Sequence, residues 1–236
     1  MVNKSKIKPI EILPTEPLTK LERNAIIDGV VTIRDLLLSF TNIPKVRMPV
    51  NYLDVNNYER QERWANEIGK QNSSNINQVN GGVMSQYLLG LQKETYIVYV
   101  TKDDLYICTD ENGKYIKGSG NNGFSAGLSS ENGPSIISTY RFKGIEDEIE
   151  RARCLKTLVM HEMGHLFGVI NETYRKKIDY RGGAHCVNDG CVMRQGWNVP
   201  EDWQQMTKDR IGKDPFCPQC LLDMRDWLNK KNYYYE

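Results

Sequence analysis

Residues 161–185 read HEMGHLFGVINETYRKKIDYRGGAH. His161 and His165 are four apart, so on a helix they project from one face about one turn apart, where two imidazoles can share a metal ion. Glu162 points to the side, where it can hold and deprotonate a water on that ion. Leu158, Val159, Leu166 and Phe167 flank the pair with apolar surface and make the helix an inner one. Gly168 lets the helix stop and the chain reverse. In the long form of this H-E-x-x-H signature a third histidine follows three residues after the glycine. Here that place holds Asn171.

The chain has 3 histidines, and all of them fall within the quoted window. Random placement rarely does that, so His185 is read as the third ligand. The stretch 169–184 before it is hydrophilic and ends in Gly182-Gly183, as expected of a surface loop pushed into the turn. Such insertions cost little, because closure entropy grows only logarithmically with length. Asn171, Glu172 and Asp179 are the rivals. The two carboxylates are acceptable zinc ligands, whereas an asparagine is a poor one.

Directly after His185 come Cys186 and Cys191, spaced C-x4-C, and further on Cys217 and Cys220, spaced C-x2-C. Two close pairs separated by a longer stretch suit a structural zinc, each pair forming one knuckle. Two disulfides are the bland alternative. A redox disulfide within CPQC is a weaker one, because no thioredoxin-like βαβ pattern precedes it. Met193 follows Cys191 at the place where a methionine turn would lie beneath a three-histidine zinc. Cys154 and Cys108 read as buried thiols. Trp197 and Trp203 lie beyond Met193, where a pocket wall would be, and read as ordinary packing.

These residues together (HEMGHLFG, then HC, C-V-M and FCPQC) resemble the archaemetzincins, a family of metzincin-type zinc peptidases. Weaker similarity runs upstream through TYIVYVTKDDLY, GFSAG and SIISTYRF, so the resemblance covers about 95–220 and is strongest in its last third. It implies a catalytic zinc on His161, His165 and His185, Glu162 as general base, and a second, structural zinc on Cys186, Cys191, Cys217 and Cys220. It further implies that Met193 is the Met-turn. The chain departs from the family by its insertion before His185 and by a longer stretch between Met193 and Cys217. Two zinc ions per chain and a peptide or protein substrate are the corresponding expectations. A non-catalytic zinc-scaffolded interaction module, or hydrolysis of a non-peptide amide, remain the alternatives.

The rest of the chain sets bounds. At 236 residues one domain is expected, with an N-terminal helical and sheet part to about 168 and a C-terminal part over 169–236. A hydrophobic share of 39% still permits a core at this length. The 31 basic and 30 acidic residues nearly cancel, so no nucleic-acid or membrane partner is expected, and the chain is read as a monomer. The N-terminal stretch lacks a signal-like apolar run, which makes a cytoplasmic location the expectation.

Apolar spacing and end signals predict helices over 18–40 and 146–167, and shorter ones are expected over the polar stretch 58–70, over 82–91 and, last, over 221–230. Strands are expected at Thr95 to Val100, in the following TKDDLYIC, and at Ser135 to Phe142, with 71–80 a loop and 118–133 a loop or weak edge strand. The expected fold class is α+β: a metzincin-like domain whose twisted mixed sheet packs on the motif helix, followed by an irregular C-terminal part.

Overall fold

The computed structural model describes residues 8–55, 61–73, 77–92, 94–107, 125–173, 175–181 and 183–231. In chain order the elements are β1 (Ile10–Pro14), α1 (Lys20–Ser39), β2 (Val50–Tyr52), α2 (Trp64–Gln71), β3 (Val79–Asn80), α3 (Gly81–Leu91), β4 (Tyr96–Thr101) and β5 (Leu105–Tyr106). They continue with β6 (Gly127–Ser129), β7 (Ser135–Ser138), α4 (Glu148–Leu166), α5 (Glu201–Asp209) and α6 (Pro218–Lys230).

The main sheet has the order β2-β1-β4-β7-β6. Every pairing in it is parallel except that of β6, which lies antiparallel to β7 at the sheet's end. β4 lies at its centre, and all six of its residues are buried. That accounts for its near-continuous apolar sequence, because a central parallel strand is covered on both faces. Tyr96, Val98 and Val100 face one core with α1 and α4, whereas Ile97 and Tyr99 face a second core with α2 and α3. β3 and β5 form a separate two-stranded pair.

Helix α1 opens with a capping box. The Glu22 N–H donates to Thr19 Oγ1 and the Thr19 N–H to Glu22 Oε2, satisfying two donors that a helix start leaves open. It then lies along α4, where Gly29 permits a close crossing. A Cβ on Gly29 would sit 3.0 Å from Val159 Cβ and 3.1 Å from the Lys156 carbonyl oxygen. Gly29→Leu is expected to destabilise the fold by about 1–3 kcal/mol through overpacking, read as a lower denaturation midpoint. Asp147 caps α4, its Oδ1 accepting from the Ile149 and Glu150 N–H groups.

Several expectations need correction. The predicted strand over Ser135 to Phe142 stops at Ser138, and Tyr140–Gly144 is a 3-10 turn. Ser138 Oγ accepts the Tyr140 N–H at 3.2 Å, offering the backbone a turn instead of a ladder. β1 and β2 were not anticipated: each is short and flanked by proline, although Ile10, Ile12 and Leu13 of β1 are fully buried. The C-terminal part is less irregular than expected. α5 buries Trp203 and Met206, three apart, and α6 starts three residues earlier than predicted, at Pro218. Within the expected loop over 71–80, Val79–Asn80 form β3, and Asn80 caps α3. Cys108 and all of 118–124 lie outside the described residues, while Cys154 is buried as expected. Among the described residues, no helix is long and apolar enough to cross a membrane.

Candidate metal centres

Helix α4 runs beneath the β6 and β7 end of the sheet and carries His161, Glu162 and His165 in its last turns. His185 returns to the same place: its ring stacks on His161 with centroids 5.2 Å apart and meets His165 edge-on at 5.1 Å. The three imidazoles offer ligand nitrogens within 4.8 Å of one another. His161 Nδ1 donates to the Val192 carbonyl at 2.7 Å, and His185 Nδ1 donates to the Gly183 carbonyl at 3.1 Å. Those bonds leave the Nε2 lone pairs of both rings free for a cation. His161 Nε2 lies 3.2 Å from His165 Nε2. Tetrahedral zinc with Zn–N near 2.05 Å sets its nitrogens about 3.3 Å apart, so the donor set fits such an ion.

Electrostatics favour neutral rings here. Burial, followed by the neighbouring His185, lowers His165 to about 3. His161 is lowered as well, by burial and then by His165 and His185, and His185 is lowered chiefly by burial. Neutral imidazole is the ligating form. Burial pushes Glu162 up to about 8, opposed by the Ser129 hydroxyl. A dication beside it would favour the carboxylate again.

The rival ligands go elsewhere. Asp179 gives its carboxylate to Arg181, and its backbone pairs with that of His185 through bonds of 3.0 and 2.8 Å. Asn171 Oδ1 accepts the Thr173 N–H, and Glu172 is exposed. Neither Glu172 nor Asp179 joins the histidine group.

Three glycines shape the centre. A Cβ on Gly127, in edge strand β6, would overlap the Glu162 carboxylate, so strand and carboxylate are in close contact. Gly127→Ala is expected to displace the Glu162 side chain or the strand and to destabilise the fold by about 1–3 kcal/mol, read as a lower denaturation midpoint. A Cβ on Gly164 would overlap the Met193 sulfur, so fully buried Met193 underlies the helix between the two histidines. Gly168 combines a φ of +64° with a place against Trp227, where a Cβ would overlap the indole ring. Trp203 is buried edge-on to His161 at 5.3 Å, in keeping with packing, and Trp197 is partly exposed with Arg181 over its ring.

A cavity of ≈ 370 Å³ adjoins His165, lined also by Ser129 of β6, Asn171 and Glu172 of the insertion, and Trp227 and Lys230 of α6.

The second cluster is formed by Cys186, Cys191, Cys217 and Cys220, whose sulfurs also lie within 4.8 Å of one another. Cys191 and Cys220 are 3.3 Å apart, and Cys186 and Cys217 are 3.7 Å apart. A disulfide needs about 2.05 Å, whereas four sulfurs on zinc sit about 3.8 Å apart, so the spacing fits the metal. Backbone N–H groups of Asn188 and Cys217 donate to Cys186 and Cys191 Sγ at 3.4 Å. Hydrogen bonding among the thiols splits their acidities: a bond with Cys220 holds Cys217 down to about 6, and one with Cys186 pushes Cys191 up to about 12. A bound dication would displace the thiol protons.

Sequence reasoning missed Arg175 and Asp223. The inserted stretch is on the surface at 172–173, 176–177 and 180–181, yet the Arg175 side chain is buried against Cys220 and Asp223. The available signal was position: Cys220 and Asp223 are three apart on α6 and so share a face.

Along nearly its whole length the chain is similar in structure to an archaemetzincin from Methanopyrus kandleri, known from a crystal structure at 1.5 Å resolution. The TM-score is 0.55 at 16% sequence identity, over 97% of this chain and 99% of that one. At that identity the likeness is one of fold. No protein-family profile matches the chain, and no curated protein sequence does.

Proposed function

We propose that this chain is a zinc-dependent metallopeptidase. The observation that carries the reading is the buried Glu162 beside three converging imidazoles, directly under edge strand β6. The fold likeness to an archaemetzincin supports it. His161, His165 and His185 would hold the catalytic ion, and Cys186, Cys191, Cys217 and Cys220 a structural one. When bound, the catalytic zinc supplies a Lewis acid that acidifies water and polarises a carbonyl.

The chain's own residues do the rest. Glu162 takes the proton of the attacking water and passes it to the leaving amine nitrogen. The Val192 and Gly183 carbonyls fix the His161 and His185 rings in the ligating tautomer. Met193, as the Met-turn, supports the helix from below at Gly164. β6, at the end of the sheet, offers a place for an extended peptide to lie beside the base. The whole chain acts as one peptidase domain, its C-terminal part closed by the cysteine cluster.

The test is a screen of the zinc-loaded chain against a peptide library and a set of acylated small amines, read as new amino groups. Peptide cleavage that chelation abolishes and zinc restores is the expected result. Cleavage of acylated amines alone would reassign the substrate class. No hydrolysis of either set by a chain holding zinc at both clusters would leave a non-catalytic scaffold.

A further inference from the structure

We propose that Arg175 is a positioning residue that couples the two metal sites, holding the stretch that returns His185 against the cysteine cluster. The inference rests on the zinc reading of both clusters given above. Arg175 Nε donates to Asp223 Oδ2 at 2.7 Å, and its Nη2 donates to Cys220 Sγ at 2.9 Å. The two charged side chains are 4% and 1% exposed. A buried guanidinium with one carboxylate is costly unless further partners satisfy it. Four thiolates around a dication keep net negative charge, and Cys220 presents one of them to the guanidinium.

Asp223 extends this anchor along the insertion. The same Oδ2 accepts the backbone N–H groups of Ile170 at 3.1 Å and Asn171 at 2.9 Å. Ile170 has a φ of +77°, an outlier for a β-branched residue that persists only where its surroundings hold it. Beyond Arg175 the chain reaches Asp179, whose backbone bonds to His185 from both N–H and C=O. His185 is thus fixed from two sides, by Cys186 next to it and by a belt running from Asp223 through Arg175 to Asp179. Emptying the cysteine site removes the ion that would fix Cys220 Sγ, the atom that receives Arg175 Nη2, and so frees that end of the anchor. The belt then loosens, and the third imidazole loses its fixed place.

The test uses the metal-free full chain titrated with Co2+. Thiolate-to-cobalt charge transfer in the near ultraviolet reports the cysteine site, visible bands report the histidine site, and chelator competition gives both affinities. Arg175→Gln is expected to weaken both sites by about 10- to 100-fold, the range for partners that orient metal ligands. Cys217→Ser should weaken the histidine site in the wild-type background and add little in the Arg175→Gln background.

Weakening of one site alone by Arg175→Gln, or of neither, overturns the coupling, as does full additivity with Cys217→Ser. Should circular dichroism show Arg175→Gln unfolded, Arg175→Lys replaces it. Lysine keeps the charge but loses the planar fork, so a smaller drop at both sites is expected, and wild-type affinities would overturn the proposal. A wild-type chain that takes no cobalt at its histidines overturns the metallopeptidase reading together with this one. A wild-type chain with both sites filled, and a variant indistinguishable from it, overturns the coupling alone.

Discussion

Glu162→Gln is expected to lower kcat/KM for peptide hydrolysis by about 10²- to 10⁴-fold, the range for a lost general acid–base group, and to leave the zinc content unchanged. Glutamine has nearly the same shape and fits the same buried place against Gly127. It cannot take a proton from water or return one to an amine nitrogen. Nor would the substitution remove a proposed metal ligand, because among the described residues the group that could hold the ion is His161, His165 and His185, without Glu162. Elemental analysis and peptide kinetics on the same preparation separate the two effects. Full activity in Glu162→Gln would end the peptidase mechanism. Lost activity together with lost zinc would mean that Glu162 holds the ion rather than the proton.

His185→Ala should lower the zinc content from about two ions per chain to about one, with peptide hydrolysis falling to background. The loss at the histidine site should exceed about 100-fold in affinity, because a ligand itself matters more than the partners that orient it. Cys186, next in sequence, should keep the second ion, since its sulfur faces Cys217 and its N–H is held by the Met193 carbonyl at 2.8 Å. A variant that retains both ions would return the third ligand to Asn171, Glu172 or Asp179. The backbone pairing of Asp179 with His185 argues against that outcome, because it turns the Asp179 carboxylate toward Arg181.

Much of the fold could be read from pattern alone. α1, α3, α4 and β4 carry strong periodicity or propensity and appear within two residues of their expected ends. β1 and β2 could not be read in this way, because a strand of three to five residues gains its stability from neighbours distant in sequence rather than from local preference. α5 escaped for a related reason. Its Trp203 becomes a buried position only because His161 and Phe142 are there to receive it.

For the candidate site, the sequence by itself determined which metal-ligating residue types stand at which spacing. The spacing of His161, Glu162 and His165 is read directly along one helix, and the paired cysteines are separated by distances that a knuckle can close. Metal-ligating groups are few in kind, so their identity and local spacing carry most of the information. Only the tertiary structure shows that the His185 ring, already read from the sequence as a candidate, lies against His161 and His165, that Met193 packs under Gly164, and that Arg175 and Asp223 lie with the cysteines. These depend on where the chain returns after Gly168, across an insertion of sixteen residues (169–184). Closing such a loop costs almost the same for many paths, so its local sequence does not select one. The choice is made by what waits at the far end: a buried carboxylate for Ile170, Asn171 and Arg175, and a strand-like partner for His185.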